Sequence, residues 1–189
     1  AMSYVLDTDD LVAVLDDGRK LHPEIVGTDP VRELAVLRPK AEQSGLPYFD
    51  LSTSVTGYAG QRVLAVSNLY GIATGNEAAS VLQGVITAVA PLDARRGSQR
   101  TQYRGQVYVL DAQSNNPGAA GGALVDWRGN LIGILGKELR SRLTGTWLNY
   151  ALPATDLAAV VADIRAGREL ADASENLVPP ESALTTEDL

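Results

Sequence analysis

An all-β fold, a barrel or sandwich closed by one helix, is the class this sequence predicts. Three observations carry that expectation. Short apolar runs recur every ten to twenty residues, and clusters of Gly, Asp, Asn and Pro punctuate them. Only one stretch keeps a helical period: Leu157, Val160, Val161 and Ile164 fall on one face. Apolar residues make up 45 % and charged residues 21 % of the 189 positions, so the chain can bury a core.

Taken in order, Leu11–Leu15 is a strand stopped by Asp16-Asp17-Gly18, where Gly accepts the positive φ a tight hairpin needs. Lys20–Val26 follows, and Pro23 suits it to an edge. Further strands are expected at Leu34–Leu37, Arg62–Val66, Val81–Val89, Gln106–Leu110, Gly122–Val125, Leu131–Leu135 and Thr146–Leu152. Trp127-Arg128-Gly129-Asn130 joins two of them as a hairpin. The helix starts after Pro153, with Thr155 or Asp156 as its cap and Gly167 as its stop. Residues 1–168 read as one domain and 169–189 as an acidic tail or linker.

Composition excludes several chemistries. There is no Cys, hence no disulfide, thiol nucleophile or Cys-ligated zinc. The single His22 rules out any site that needs two imidazoles from these residues, and Asp7, Asp9 and Asp10 lack the Gly and distal Glu of a calcium loop. No metal or cofactor is expected. Sixteen basic against seventeen acidic residues leave 1–168 at −1, while 169–189 hold six acids and no base. A nucleic-acid partner is not expected from that balance, nor is a membrane span, since no apolar run is long enough. No basic-then-apolar leader is read at the start.

The most informative stretch is Asn116-Pro117-Gly118-Ala119-Ala120-Gly121-Gly122-Ala123-Leu124-Val125. It resembles the nucleophile loop N-P-G-N-S-G-G-P-L-V of HtrA/Deg-like trypsin-fold serine proteases. Asp17-Gly18-Arg19, Ile25–Pro30 and Glu33–Leu37 resemble that family's D-G-R, V-V-G-T-D-P and D-L-A-V-L segments. Gln83–Ala88, Gly129–Ile134 and Tyr150–Pro153 are similar to its G-I-V-S-A, G-E-V-I-G-I and F-A-I-P strands. The resemblance implies a trypsin-like double β-barrel with a C-terminal helix. It also implies serine endopeptidase chemistry, an extracytoplasmic or periplasmic setting, and a PDZ domain following the helix.

At the positions that carry this chemistry the chain departs from the pattern. The nucleophile position is Ala120, the orienting acid position is Glu33, and Tyr4 falls at the base position, or Ser3 if the intervening loop differs by one residue. The resemblance places oxyanion-type amides at Gly118 and Ala120, and peptide backbone at Gly121 and Gly122. His22 lies beyond the Asp17-Gly18 turn, away from the expected cleft, and nothing in their spacing pairs Ser114 with Lys137. The family's first barrel begins well before the base, so this barrel is expected to be partial, with an open edge that invites self-association. The expectation is a catalytically inactive homologue that binds peptide or unfolded-protein segments. The rivals are an endopeptidase whose Ser has been replaced at position 120, and a purely structural module.

Overall fold

The computed structural model describes residues 5–6, 8, 10–70, 79–116 and 118–168. Its centre is a closed barrel of six strands: β5 (Arg62–Ser67), β6 (Ser80–Pro91), β9 (Gln106–Leu110), β10 (Ala123–Val125), β11 (Leu131–Leu135) and β14 (Tyr150–Pro153). Around the barrel the order is β10-β11-β14-β9-β6-β5, with every neighbouring pair antiparallel. Closure leaves these six strands no free edge. Alternation drives it: Val63 and Ala65 on β5 are fully buried, and Leu124, Ile132 and Tyr108 reach the same interior.

Ahead of the barrel lie two hairpins. β1 (Ala13–Val14) pairs with β2 (Lys20–Leu21), and β3 (Pro23–Asp29) with β4 (Leu34–Pro39). The Asp16-Asp17-Gly18 turn forms as expected: Gly18 has φ +80°, and its amide donates to the Leu15 carbonyl at 2.9 Å. The strand-rich chain, its six-stranded barrel and its one C-terminal helix agree with the trypsin-like architecture. A fourth sheet, β13-β12-β7-β8, lies outside the barrel; its strands are β7 (Ala94–Arg96), β8 (Gln99–Arg100), β12 (Leu139–Ser141) and β13 (Trp147–Leu148).

Several expected elements shift. The run Lys20–Val26 breaks at His22 into β2 and β3, and Leu11–Leu15 contracts to β1. Asn149 interrupts Thr146–Leu152, because its side-chain oxygen accepts from the amides of Ser114 and Asn115. The helix α1 (Ala154–Arg165) begins on Pro153, and neither Thr155 nor Asp156 caps it. Proline at that boundary has no amide to satisfy and a φ of −58°, and Asp156 contributes charge to the first turn instead. The other end stops at Gly167 as expected. Gly167 (φ +65°) donates to Ile164 and Arg168 to Asp163, a Schellman closure.

Packing ties the hairpins to the barrel. Leu157 of α1 joins Leu92, Tyr103, Leu139, Tyr150 and Leu152 in a second core, against which Val31 and Leu34 of the β3–β4 turn also pack. Gly27 on β3 has no room for a side chain: a Cβ there would stand 2.8 Å from Cγ2 of Ile164.

Candidate active site

The loop from Asn116 to Gly122 is built from two consecutive turns. The Ala119 amide donates to the Asn116 carbonyl and the Gly122 amide to the Ala119 carbonyl, each at 3.0 Å. Gly121 is the third residue of the second turn and has φ +88°, a conformation that needs glycine. The Ala119 methyl is fully buried in the barrel core and anchors the loop. From β5 and its exit, Ser67 Oγ donates to the Gly118 carbonyl at 3.0 Å, while the Leu69 carbonyl accepts from Asn116 Nδ2 at 2.7 Å.

Both glycines after Ala120 are committed to this frame. Gly121 donates to the Leu135 carbonyl at 2.9 Å, and the Gly122 carbonyl accepts from the Leu135 amide at 2.8 Å. A Cβ on Gly122 would lie 2.3 Å from that of Ser67 and 2.6 Å from the Val66 carbonyl oxygen, so close strand approach requires this glycine. Gly118 and Ala120 differ. Among the described residues, neither amide donates to a protein oxygen, and both residues are only partly buried. Ala120 presents a methyl group at the second position of the second turn.

Glu33 sits at the turn between β3 and β4. Asp29, 2 % exposed, organises that turn: its Oδ1 accepts from the amides of Val31 and Arg32 at 2.9 and 3.1 Å. Its Oδ2 pairs with the Arg32 guanidinium at 2.7 Å. Among the described residues Glu33 is the one non-glycine with positive φ, at +57°. Its carboxylate forms an ion pair with Lys137, which leaves β11 and is 8 % exposed. Beneath them, the ring of Tyr150 lies flat against Gly136, where a Cβ would meet Cζ at 2.1 Å. Burial, reinforced by the charges of Glu33 and Glu138, pushes the Tyr150 hydroxyl far above its ordinary range, although the Lys137 backbone opposes the shift.

The structure thus brings two of the sequence-derived positions to one place. A small cavity of about 40 Å³ is shared by Gly121, Glu33, Lys137 and Tyr150. Tyr4 lies outside the described residues. His22 is exposed beside Asp10, at 3.5 Å, and lines neither this cavity nor the larger one adjoining it. Ser114 and Lys137 are not partners: Ser114 is buried with its amide on Asn149, whereas Lys137 engages Glu33. Sequence reading missed Lys137 as the partner of Glu33, because no local pattern joins residues so far apart along the chain. No group of acidic or His side chains suited to a metal ion occurs among the described residues.

Residues 3–134 match the trypsin-like peptidase domain family. Serine endoprotease DegS of Salmonella typhimurium is 35 % identical over 128 residues, covering 68 % of this chain and 33 % of that protein. Serine protease Do-like HtrA of Lactobacillus helveticus is 32 % identical over 168 residues, covering 86 % and 38 %. The solved HtrA-type protease AlgW with a decapeptide superposes with a TM-score of 0.66 at 30 % identity, over 86 % of this chain and 46 % of that one. The MamO protease domain of Magnetospirillum magneticum shares the fold, with a TM-score of 0.65 at 24 % identity over 84 % and 79 %. The chain spans about a third of the length of the curated relatives it matches. With its barrel, its Gly-rich loop and these relatives in agreement, the chain belongs to the trypsin-like peptidase domain family, on its HtrA/Deg branch.

Proposed function

We propose that this domain is a catalytically inactive member of its family that binds extended peptide segments. One observation supports the reading: the carboxylate of Glu33, where the resemblance puts the orienting acid, is engaged by Lys137, and Ala120 falls where the resemblance puts the nucleophile. Acyl transfer needs an oxygen or sulfur nucleophile, a base within reach and a carboxylate that orients the base. A methyl group supplies no lone pair. A carboxylate bound to an ammonium is poorly placed to orient a base. The lone imidazole of these 189 residues, His22, is exposed between the two leading hairpins, beside Asp10.

Binding does not require the nucleophile. Main-chain pairing and pocket contacts hold an extended peptide, and Gly118 and Ala120 offer amides not spent within the described structure. A serine-to-alanine variant of AlgW, 31 % identical to this chain, has been solved with a tripeptide and with a decapeptide. The residues proposed to face the peptide are Gly118 and Ala120 through their amides, with Gly121 and Gly122 holding the loop open to it. The acidic segment 169–189, which lies outside the described residues, is proposed to be a tail or a linker.

The test is direct. Neither the chain nor its Ala120→Ser variant should hydrolyse a peptide ester or react with a fluorophosphonate probe, since a serine without a base stays protonated. Stoichiometric labelling of the serine variant would show an active base and an endopeptidase inactivated only at position 120. An NMR titration with extended peptides that moved no resonance from Gly118 to Gly122 would favour a purely structural module.

A further inference from the structure

Beside the loop, on the far side of Glu33 and Lys137, lies a cavity of about 420 Å³. It shares Arg32, Glu33, Lys137, Tyr150 and Leu152 with the small cavity that contains Gly121, so the two lie side by side across those residues. Its floor is apolar, made by Leu92, Leu139 and Leu152 with the rings of Tyr103 and Tyr150. Its rim is basic: Arg32, Arg96, Arg100 and Lys137 face one acid, Glu33.

The excess of positive charge extends behind the rim. A single carboxylate, Asp93, serves three guanidinium groups: Arg142 at 2.9 Å, and Arg100 and Arg104 at 3.3 Å each. Together with the Asp29–Arg32 and Glu33–Lys137 pairs, this makes five cations around three carboxylates. That local surplus stands in a domain whose net charge is −1. Burial, with repulsion from Arg100 and Arg142, holds the Arg104 guanidinium below its ordinary value despite the attraction of Asp93. Cations gathered against their mutual repulsion favour an anionic ligand.

We propose that this groove selects acidic peptides supplied by another chain, with an apolar residue seated on the floor and flanking Asp or Glu carboxylates on Arg96 and Arg100. The apolar floor favours a peptide over a nucleic acid, whose phosphates would use the rim alone. The specificity rests on the peptide-binding reading above and refines it.

The test uses the full chain and two labelled peptides, Ala-Glu-Leu-Glu-Ala and Ala-Gln-Leu-Gln-Ala, both blocked at their ends. By fluorescence anisotropy at low salt the acidic peptide should bind about ten-fold tighter, with the difference shrinking as salt rises. Arg96→Gln with Arg100→Gln should reduce the preference to within about two-fold. Both side chains are exposed, and Asp93 keeps Arg104 and Arg142 when Arg100 is replaced; a thermal melt beside the parent chain checks that the fold survives. Arg96→Glu with Arg100→Glu should turn the preference against the acidic peptide. Equal binding of both peptides by the unaltered chain would overturn the proposal while leaving peptide binding intact; binding of neither would overturn peptide binding itself. Displacement of the acidic peptide by a single-stranded oligonucleotide of higher affinity would overturn the assignment to carboxylates. Tighter peptide binding after the six acids of 169–189 are changed to amides would show that the chain's own tail occupies the groove, overturning a ligand from another chain.

Discussion

At the scale of single residues, Glu33 and Lys137 are the most consequential pair. Lys137 is nearly buried, whereas the Glu33 side chain is 31 % exposed. The two losses are therefore unequal. Glu33→Gln strands an ammonium away from both water and a counter-charge, and should cost about 2–3 kcal/mol, somewhat less than a fully buried pair would. Lys137→Met keeps most of the packing and leaves Glu33 able to reach solvent, so its cost should be about 1 kcal/mol. Urea unfolding of both variants checks the order; the reverse order would mean that Lys137 is stabilised by packing and not by its carboxylate. The loop around Ala120 was legible in the sequence because its glycines are dictated by turn and contact geometry over a few residues. The ion pair was not, because it joins a turn of the first unit to the exit of a barrel strand.

Elements divide along the same line. The strands of the barrel were legible because each is an apolar run bounded by turn residues, and the hairpin between β10 and β11 because Gly129 punctuates it. Asp126 accepts from the amides of Arg128 and Asn130 at 2.8 and 2.9 Å and from Asn130 Nδ2 at 2.8 Å. Burial pushes its carboxyl upward, but these hydrogen bonds prevail and leave it below its ordinary value. A depressed carboxyl contributes stability above its unfolded value, near 4, that is lost as pH falls through the folded one. Asp126→Ala should cost about 1–2 kcal/mol at neutral pH, and the gap to the parent chain should close as the pH drops below about 4. Thermal melts across that range decide it; a gap unchanged at low pH would mean that the carboxylate charge plays no part. Strands β7, β8 and β12 were illegible for a physical reason. They are two or three residues long, carry arginines, and are held by single buried anchors such as Ala94 and Leu139 and not by an alternating face.

For the molecule as a whole, its buried phenols set an alkaline limit. Tyr103, Tyr108 and Tyr150 all have hydroxyls raised above their ordinary value, chiefly by burial. The folded chain therefore keeps protons that the unfolded chain gives up above about pH 10, and stability should fall as the pH rises past that point. Absorbance of tyrosinate followed beside circular dichroism is the check. At least three of the seven tyrosines should ionise only as the fold is lost. Ionisation of all seven near pH 10 with the fold intact would contradict the burial of these rings.

Finally, β3 and β4 hydrogen-bond to each other and, among the described strands, to no third one. Half of their main-chain amides point away from the ladder, and the side chains of Ile25 and Leu37 are each 39 % exposed. What fastens the hairpin lies mostly at its turn, through Val31, Leu34 and Glu33, and at Gly27 against the helix. Such an element opens on its own, without waiting for the barrel to melt. Deuterium should then enter β3 and β4 through sub-global openings long before it reaches the β5, β6 and β9 amides. Because the turn that opens is the one that carries Glu33, each opening also frees Lys137. The cleft would then alternate between a latched and an unlatched form, at a rate set by the hairpin.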